Sequence, residues 1–252
     1  MQCASSFAMT KTLVLYVFHV YNDRVKQFIN NAIFNDESID FIVISNDKEN
    51  KFEVPEYAKT MKRDNVGYDF GGWSHALIEN NTYEKYDYFI FVNSSVQGPF
   101  ISPCHREKYG EKWTNIFIDG LLKNNVKLFG STINTCANPA KLAHVQSYIF
   151  ATDKETAKYL IDCEIFSLTQ HSKTHHHAIW QKEVLMSRKV IEKGWNIGCL
   201  MKHYCGVDFT LKTPLKNNVQ YLNDIMWPHF RNIHWNEYEV VFIKGNRIQI
   251  DP

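Results

Sequence analysis

The residues Asn65-Val-Gly-Tyr-Asp-Phe-Gly-Gly-Trp73 carry the chain's densest chemical potential. Three glycines (Gly67, Gly71 and Gly72) within six residues let a backbone turn tightly and approach a ligand closely. An amide (Asn65), a carboxylate (Asp69) and two aromatic rings (Tyr68, Trp73) are interleaved with them. Downstream, 74–80 has the spacing of a short amphipathic helix, so the loop feeds a helix N-terminus. Free N–H groups and the positive dipole end favour phosphate there. The same segment also serves as a plain glycine-rich turn between strand and helix.

A second segment is Phe89-Ile-Phe-Val-Asn-Ser-Ser-Val-Gln-Gly-Pro-Phe100, where an apolar strand runs out into an amide and two hydroxyls before a Gly-Pro break. His175-His-His177 and the set Cys199, His203, Cys205 invite a metal reading. Neither spacing matches a zinc pattern, which leaves a basic loop in one case and buried thiols with a surface imidazole in the other.

These residues need elements to hold them. Near-continuous apolar runs predict buried strands at 12–18, 39–44, 86–92 and 126–130, with a short strand at 58–62. Helical spacing predicts a helix at 23–32, with Val25, Phe28, Ile29 and Ala32 on one face. The alternation of strand and helix predicts an α/β fold with a mostly parallel sheet flanked by helices. Ligands of such sheets lie at the carboxyl ends of the strands. His19, Asn46, Asp47, Asn65 to Asp69 and Asn93 to Ser95 all fall at those ends. Further on, the pattern predicts a strand at 144–150, a helix at 153–161 capped by Asp153, and a polar loop at 173–177. An amphipathic helix at 179–193 closed by Gly194, a strand at 195–200 and a terminal hairpin at 240–243 and 247–250 complete the reading. Nothing marks a linker, so 1–252 is expected to be one domain, with a ligand half over 12–130 and a second, less regular half over 131–252.

Composition narrows the functional classes. With 28 basic and 27 acidic residues the formal charge is +1, which argues against nucleic-acid binding. Six scattered cysteines without a C-x-x-C pair point to reduced thiols and a cytoplasmic location. No apolar stretch reaches the roughly 20 residues of a membrane helix, and the start does not read as a signal peptide. The two Asn-x-Ser/Thr matches, at Asn80 and Asn93, are read as coincidental.

Taken together, N-x-G-x-D-x-G-x-W at 65–73 and F-V-N-S-S-x-x-G-P-F at 91–100 resemble rhamnan-synthesis protein F and related glycosyltransferases, some encoded by large algal viruses. Glu183-Val-Leu-Met-Ser187 and Gly194-Trp-Asn-Ile197 add a weaker match. The resemblance covers about 12–200 and implies a GT-A type fold and sugar transfer to a glycan, in the host cytoplasm if the chain is viral. A UDP-, dTDP- or GDP-linked donor and a glycan acceptor follow from it, with rhamnose or xylose as the sugar. On that footing Asn46 and Asp47 face the base, and Asn65, Gly67, Tyr68, Asp69 and Gly71 shape the donor slot. Asn93, Ser94 and Ser95 take the position where such enzymes carry an acidic D-x-D motif for Mn²⁺ or Mg²⁺. The chain has no D-x-D, so either another carboxylate completes a metal site or Arg63, Lys173 or a late histidine screens the leaving group. Glu183 is the expected base for an inverting transfer, with Asp153 and Asp208 as lesser candidates. A degenerate, non-catalytic sugar- or nucleotide-binding module is the alternative. A Rossmann oxidoreductase is disfavoured, because the glycines do not form G-x-G-x-x-G and follow the third strand.

Overall fold

The computed structural model describes residues 10–123, 125–135, 142–213, 222, 229–230, 233–234 and 236–245. Strand β1 (Thr12–Phe18) is buried along its whole length, as its apolar run requires. Its alternation divides the core in two. Leu13, Leu15 and Val17 face one layer, while Val14, Tyr16 and Phe18 face the other. Helix α1 (Asp23–Ala32) covers the second layer with Val25, Phe28, Ile29 and Ala32, and Asn22 caps it by accepting from the Val25 amide at 3.2 Å. Helix α2 (Tyr68–Ile78) covers the first layer with Phe70, Trp73, Ala76 and Leu77.

The sheet continues with β2 (Ile39–Ser45), β3 (Lys59–Lys62), β4 (Tyr88–Asn93), β6 (Val126–Gly130), β9 (Ile149–Asp153) and β10 (Asn196–Cys199). Short pairs outside it are β5 (Val96–Gln97), β7 (Ile133–Asn134) and β8 (His144–Val145). The seven-stranded order is β10-β6-β9-β4-β1-β2-β3. β1 runs parallel to β2 and β4, β2 to β3, and β10 to β6. Only β9 is antiparallel, inserted between β4 and β6. The sheet is therefore mostly parallel and flanked by helices, as the alternation predicts, with β9 and β10 drawn from the second half of the chain.

Several boundaries differ from expectation. α2 starts at Tyr68 rather than Ser74, so Gly71 and Gly72 lie inside the helix. They are there for close packing. A Cβ on Gly72 would meet Val17 Cγ2 at 2.7 Å and Asn46 Oδ1 at 3.0 Å, and one on Gly71 would meet the Val66 carbonyl oxygen at 1.9 Å. Gly67 alone needs glycine's freedom, with φ +81°. The expected strand at 144–150 is two strands parted by a turn at Ser147 and Tyr148. The expected loop at 173–177 ends in a short helix, His175–Ala178, that runs through a π-helical turn, Ile179–Val184, into the helix Leu185–Glu192. Two helices, Pro103–Tyr109 and Trp113–Leu121, occupy a stretch where the sequence pattern places no element. At the C-terminal end, Glu237–Val240 is helical, and Ile243–Lys244 pairs antiparallel with β5. The second hairpin segment, 247–250, lies outside the described residues, as do Cys3, Cys136, Trp227 and Trp235.

Trp73 joins α2 to the sheet. It is fully buried, packs edge-on against Phe91 and Phe150, and donates its indole N–H to the Leu15 carbonyl at 3.1 Å. Trp73→Ala leaves a large cavity and an unpaired carbonyl. It is expected to cost about 3–5 kcal/mol, read as a lowered denaturant midpoint, with Trp73→Phe losing distinctly less.

Candidate functional site

A cavity of about 560 Å³ opens at the carboxyl end of β4. One wall is Tyr68, Asp69, Asn93, Ser94 and Ser95 with Lys244 beside them, and the facing wall is His144, Gln146, Ser147 and Glu183. His175 and Trp180 stand at its margin, with Trp180 43% exposed. Tyr68 meets His175 edge-on, with ring centroids 6.3 Å apart.

The first wall is built from the loop that enters α2. Gly67 and Tyr68 both have left-handed backbone, with φ +81° and +57°. For tyrosine that conformation costs about 1–2 kcal/mol, so neighbouring groups must hold it. The buried Arg63 guanidinium does so, donating to the Val66 carbonyl at 2.8 Å and to Asn46 Oδ1 at 2.7 Å. Asn46 in turn donates to the Tyr68 carbonyl at 3.0 Å. The next residue, Asp69, then reaches the end of β4, where the Asn93 amide donates to its Oδ2 at 3.0 Å. Asn93 Oδ1 is itself occupied by the Ser95 amide, at 3.0 Å, and by the Ser95 hydroxyl.

The facing wall depends on the π-helical turn. Within it, two adjacent residues have different surroundings. Lys182 goes inward and donates to the Glu164 carbonyl at 2.6 Å, while Glu183 lines the cavity. Glu183 Oε2 accepts from the Ser147 amide at 2.8 Å and from the Ser147 hydroxyl. His144 donates from Nδ1 to the Leu142 carbonyl at 2.6 Å and turns Nε2 toward Glu183 Oε1 at 3.5 Å, an ion pair when the ring is protonated.

The two carboxyls are tuned apart. Burial pushes Asp69 up to about 6, against the hydrogen bond from Asn93 and helped by the Glu183 charge. Burial also pushes Glu183 up, yet His144 and the two Ser147 donors outweigh it and hold the group down at about 2. Near neutrality Glu183 is an anion held firmly through Oε2, whereas Asp69 can exchange a proton.

Of the residues expected to bind ligand, Tyr68, Asp69, Asn93, Ser94, Ser95 and Glu183 are brought together here. The others serve elsewhere. Asn46 is 1% exposed with its side-chain amide fully committed, so it is a brace rather than a base contact. Asp47 closes its own turn, its Oδ1 accepting from the Glu49 amide at 2.9 Å. Asn65 is exposed on the loop outside the cavity, and Gly67 and Gly71 shape the backbone behind it, with His171 Nδ1 only 2.8 Å from a Cβ placed on Gly67. Arg63 is committed to its brace, and Lys173 is exposed outside the cavity lining. Asp153 caps a helix and pairs with Lys127, Asp208 closes a turn, and neither lines the cavity. Cys199 is buried, with its thiol pushed up to about 12 by burial.

His144, Ser147 and Lys244 are the site residues that sequence reasoning misses. The first two lay within what reads as one continuous strand, and only its break frees the Ser147 amide. A divalent cation needs several hard oxygens, usually including one or two free carboxylates. Among the described residues no three His, Cys, Asp or Glu side chains converge to hold one. Asn93 Oδ1 and Glu183 Oε2 are already taken. These side chains do not by themselves build a protein-only cage for a metal ion.

A family model described as rhamnan synthesis protein F matches residues 41–226. No curated protein matches the sequence. Two crystal structures of the glycosyltransferase GlyE of Streptococcus pneumoniae TIGR4 are similar to the chain. One is 8% identical over 79% of this chain and 47% of that one, with a TM-score of 0.42. The apo form is 9% identical over 77% and 46%, with a TM-score of 0.39. The chain thus spans about half the length of those structures.

The depressed Glu183 carboxyl has a stability consequence. Its contribution is fully present above its ordinary value of 4.5 and disappears as pH falls toward about 2. Glu183→Gln should therefore lower stability at pH 7 by up to roughly 3 kcal/mol. Denaturant titrations should also show its stability falling less steeply than that of the parent protein across that acid window.

Proposed function

The chain belongs to the rhamnan synthesis protein F family, and from that premise we propose that it is a glycosyltransferase of GT-A type. It would move a sugar, rhamnose or xylose, from a UDP-, dTDP- or GDP-linked donor to a hydroxyl of a glycan, with inversion. The observation that carries this reading is the cavity at the end of β4, where a proton-exchanging carboxyl and a fixed carboxylate share one chamber of about 560 Å³. That volume suits a sugar ring with part of its diphosphate. A reducing, cytoplasmic setting, expected from the six scattered cysteines of the sequence, belongs to the same proposal.

In the transfer, the acceptor oxygen attacks the anomeric carbon as the bond from that carbon to the diphosphate oxygen breaks. The bonding pair leaves with the diphosphate, and the hydroxyl proton must go to a base. Asp69 is the better acceptor for that proton. One of its oxygens is held by Asn93 while the other carries no hydrogen bond among the described residues, and its affinity for a proton is raised. Glu183, the residue expected from the sequence, is too acidic and too firmly engaged for that task. Its fixed charge instead raises Asp69 and orients His144 and Ser147. No step here runs through a metal ion.

Asp69→Asn keeps the side-chain shape and removes the base, so transfer should fall by about 10²–10⁴-fold. In the parent protein kcat/KM should rise with pH and level off above about 6, the range set by Asp69. Glu183→Gln removes the neighbouring negative charge, so that limb should move to lower pH without disappearing. A limb abolished by Glu183→Gln and retained in Asp69→Asn would return the role to Glu183.

A further inference from the structure

Departure of a nucleoside diphosphate places negative charge where the chain offers Asn-Ser-Ser rather than acids, and the nearby oxygens do not make a metal cage. Positive charge must come from elsewhere. Lys244 is placed to supply it. The strand Ile243–Lys244 lies antiparallel to β5, with Lys244 opposite Val96, one residue beyond the Asn93–Ser95 turn. The Gly245 amide donates to the Ser95 carbonyl at 2.8 Å, fastening the lysine's backbone to that turn.

The strand is firmly anchored behind the cavity. Val240, Val241, Phe242 and Ile243 are at most 1% exposed. The Ser131 hydroxyl donates to the Val240 carbonyl at 2.8 Å, and the Phe100 amide donates to the Val241 carbonyl at 2.7 Å. Lys244 itself lines the cavity beside Asp69, where its charge opposes the rise of that carboxyl. The half-buried Lys127 is committed to Asp153, and the buried Lys182 to the Glu164 carbonyl. Among the described residues Lys244 forms no hydrogen bond or ion pair that would occupy its ammonium. A backbone-anchored cation that lines the cavity and, among the described residues, has no hydrogen-bonded or ion-paired partner is a binding site for a mobile anion.

We propose that the Lys244 ammonium binds the donor's diphosphate and stands in for the divalent cation, so that donor binding and departure are metal-independent. This rests on the glycosyltransferase reading above. The test is calorimetric titration of the whole chain with UDP, dTDP and GDP in EDTA, then with excess Mg²⁺ or Mn²⁺. At least one diphosphate should bind in EDTA. Lys244→Met and Lys244→Gln, each confirmed folded by near-UV circular dichroism, should weaken it by roughly ten- to a hundredfold, the loss of one charge-assisted contact. Lys244→Arg should restore most of the affinity, and the matching nucleoside without phosphate should bind all forms alike. Undiminished diphosphate binding by both neutral variants overturns the assignment of Lys244. Binding that appears only with Mg²⁺ or Mn²⁺ overturns metal independence. Failure of all three diphosphates under every condition would sink the nucleotide-sugar reading itself, a separate result.

Discussion

The site depends on one buried cation. Arg63 is 7% exposed, and among the described residues no carboxylate accepts from it. A guanidinium removed from water needs several acceptors to remain there, and this one finds the Asn46 side chain and the Val66 carbonyl. Those contacts fix the ends of the loop between β3 and α2. Only with both ends fixed can Gly67 and Tyr68 keep consecutive left-handed backbone, and only that turn sets α2 down with Asp69 at the end of β4. The glycines follow from the same constraint, since a Cβ at Gly72 would collide with Val17 of the sheet and one at Gly71 with the Val66 carbonyl of the entering loop.

The electrostatics follow from which oxygens are already occupied. Both carboxyls are withdrawn from water, so burial alone would raise both. The difference is the number of donors: Glu183 has the Ser147 amide and hydroxyl with His144 close by, and Asp69 has one neutral amide from Asn93. The more anionic partner then raises the other through space. Two carboxyls of unlike proton affinity are thereby set apart within one chamber by hydrogen bonding.

Much of this architecture was legible. β1, α1 and β6 have the expected bounds, because continuous apolar runs and a clean 3.6 period leave little choice. The polar strand ends were visible as well, but the sequence does not say which polar group faces solvent and which faces protein. Asn46 and Asn93 illustrate this. Both are asparagines at the end of a buried strand, yet one braces a helix and the other supports a cavity carboxylate, a difference set by Arg63, 17 residues beyond Asn46. The start of α2 was missed because glycine is usually read as a helix breaker. Here the cost of glycine in a helix is smaller than the cost of a methyl group against the sheet. The helix Trp113–Leu121 was missed although its apolar face is plain once Trp113 is seen filling the layer behind α1.

The least legible residues are those delivered by the shortest elements. Lys244 sits on a two-residue strand whose partner lies nearly 150 positions earlier, and no local pattern announces that pairing. Glu183 was visible as a helical acid, but its direction depends on a π-helical turn that shifts the helical phase between Ala178 and Leu185. A regular α-helix through 175–192 would repeat every 3.6 residues and could not satisfy the two ends alike, with His175 and Trp180 at the cavity margin and Met186, Ser187 and Val190 in the core. The wider turn absorbs that mismatch. It lets a single helical segment seal the hydrophobic core at one end and carry a charged cavity wall at the other.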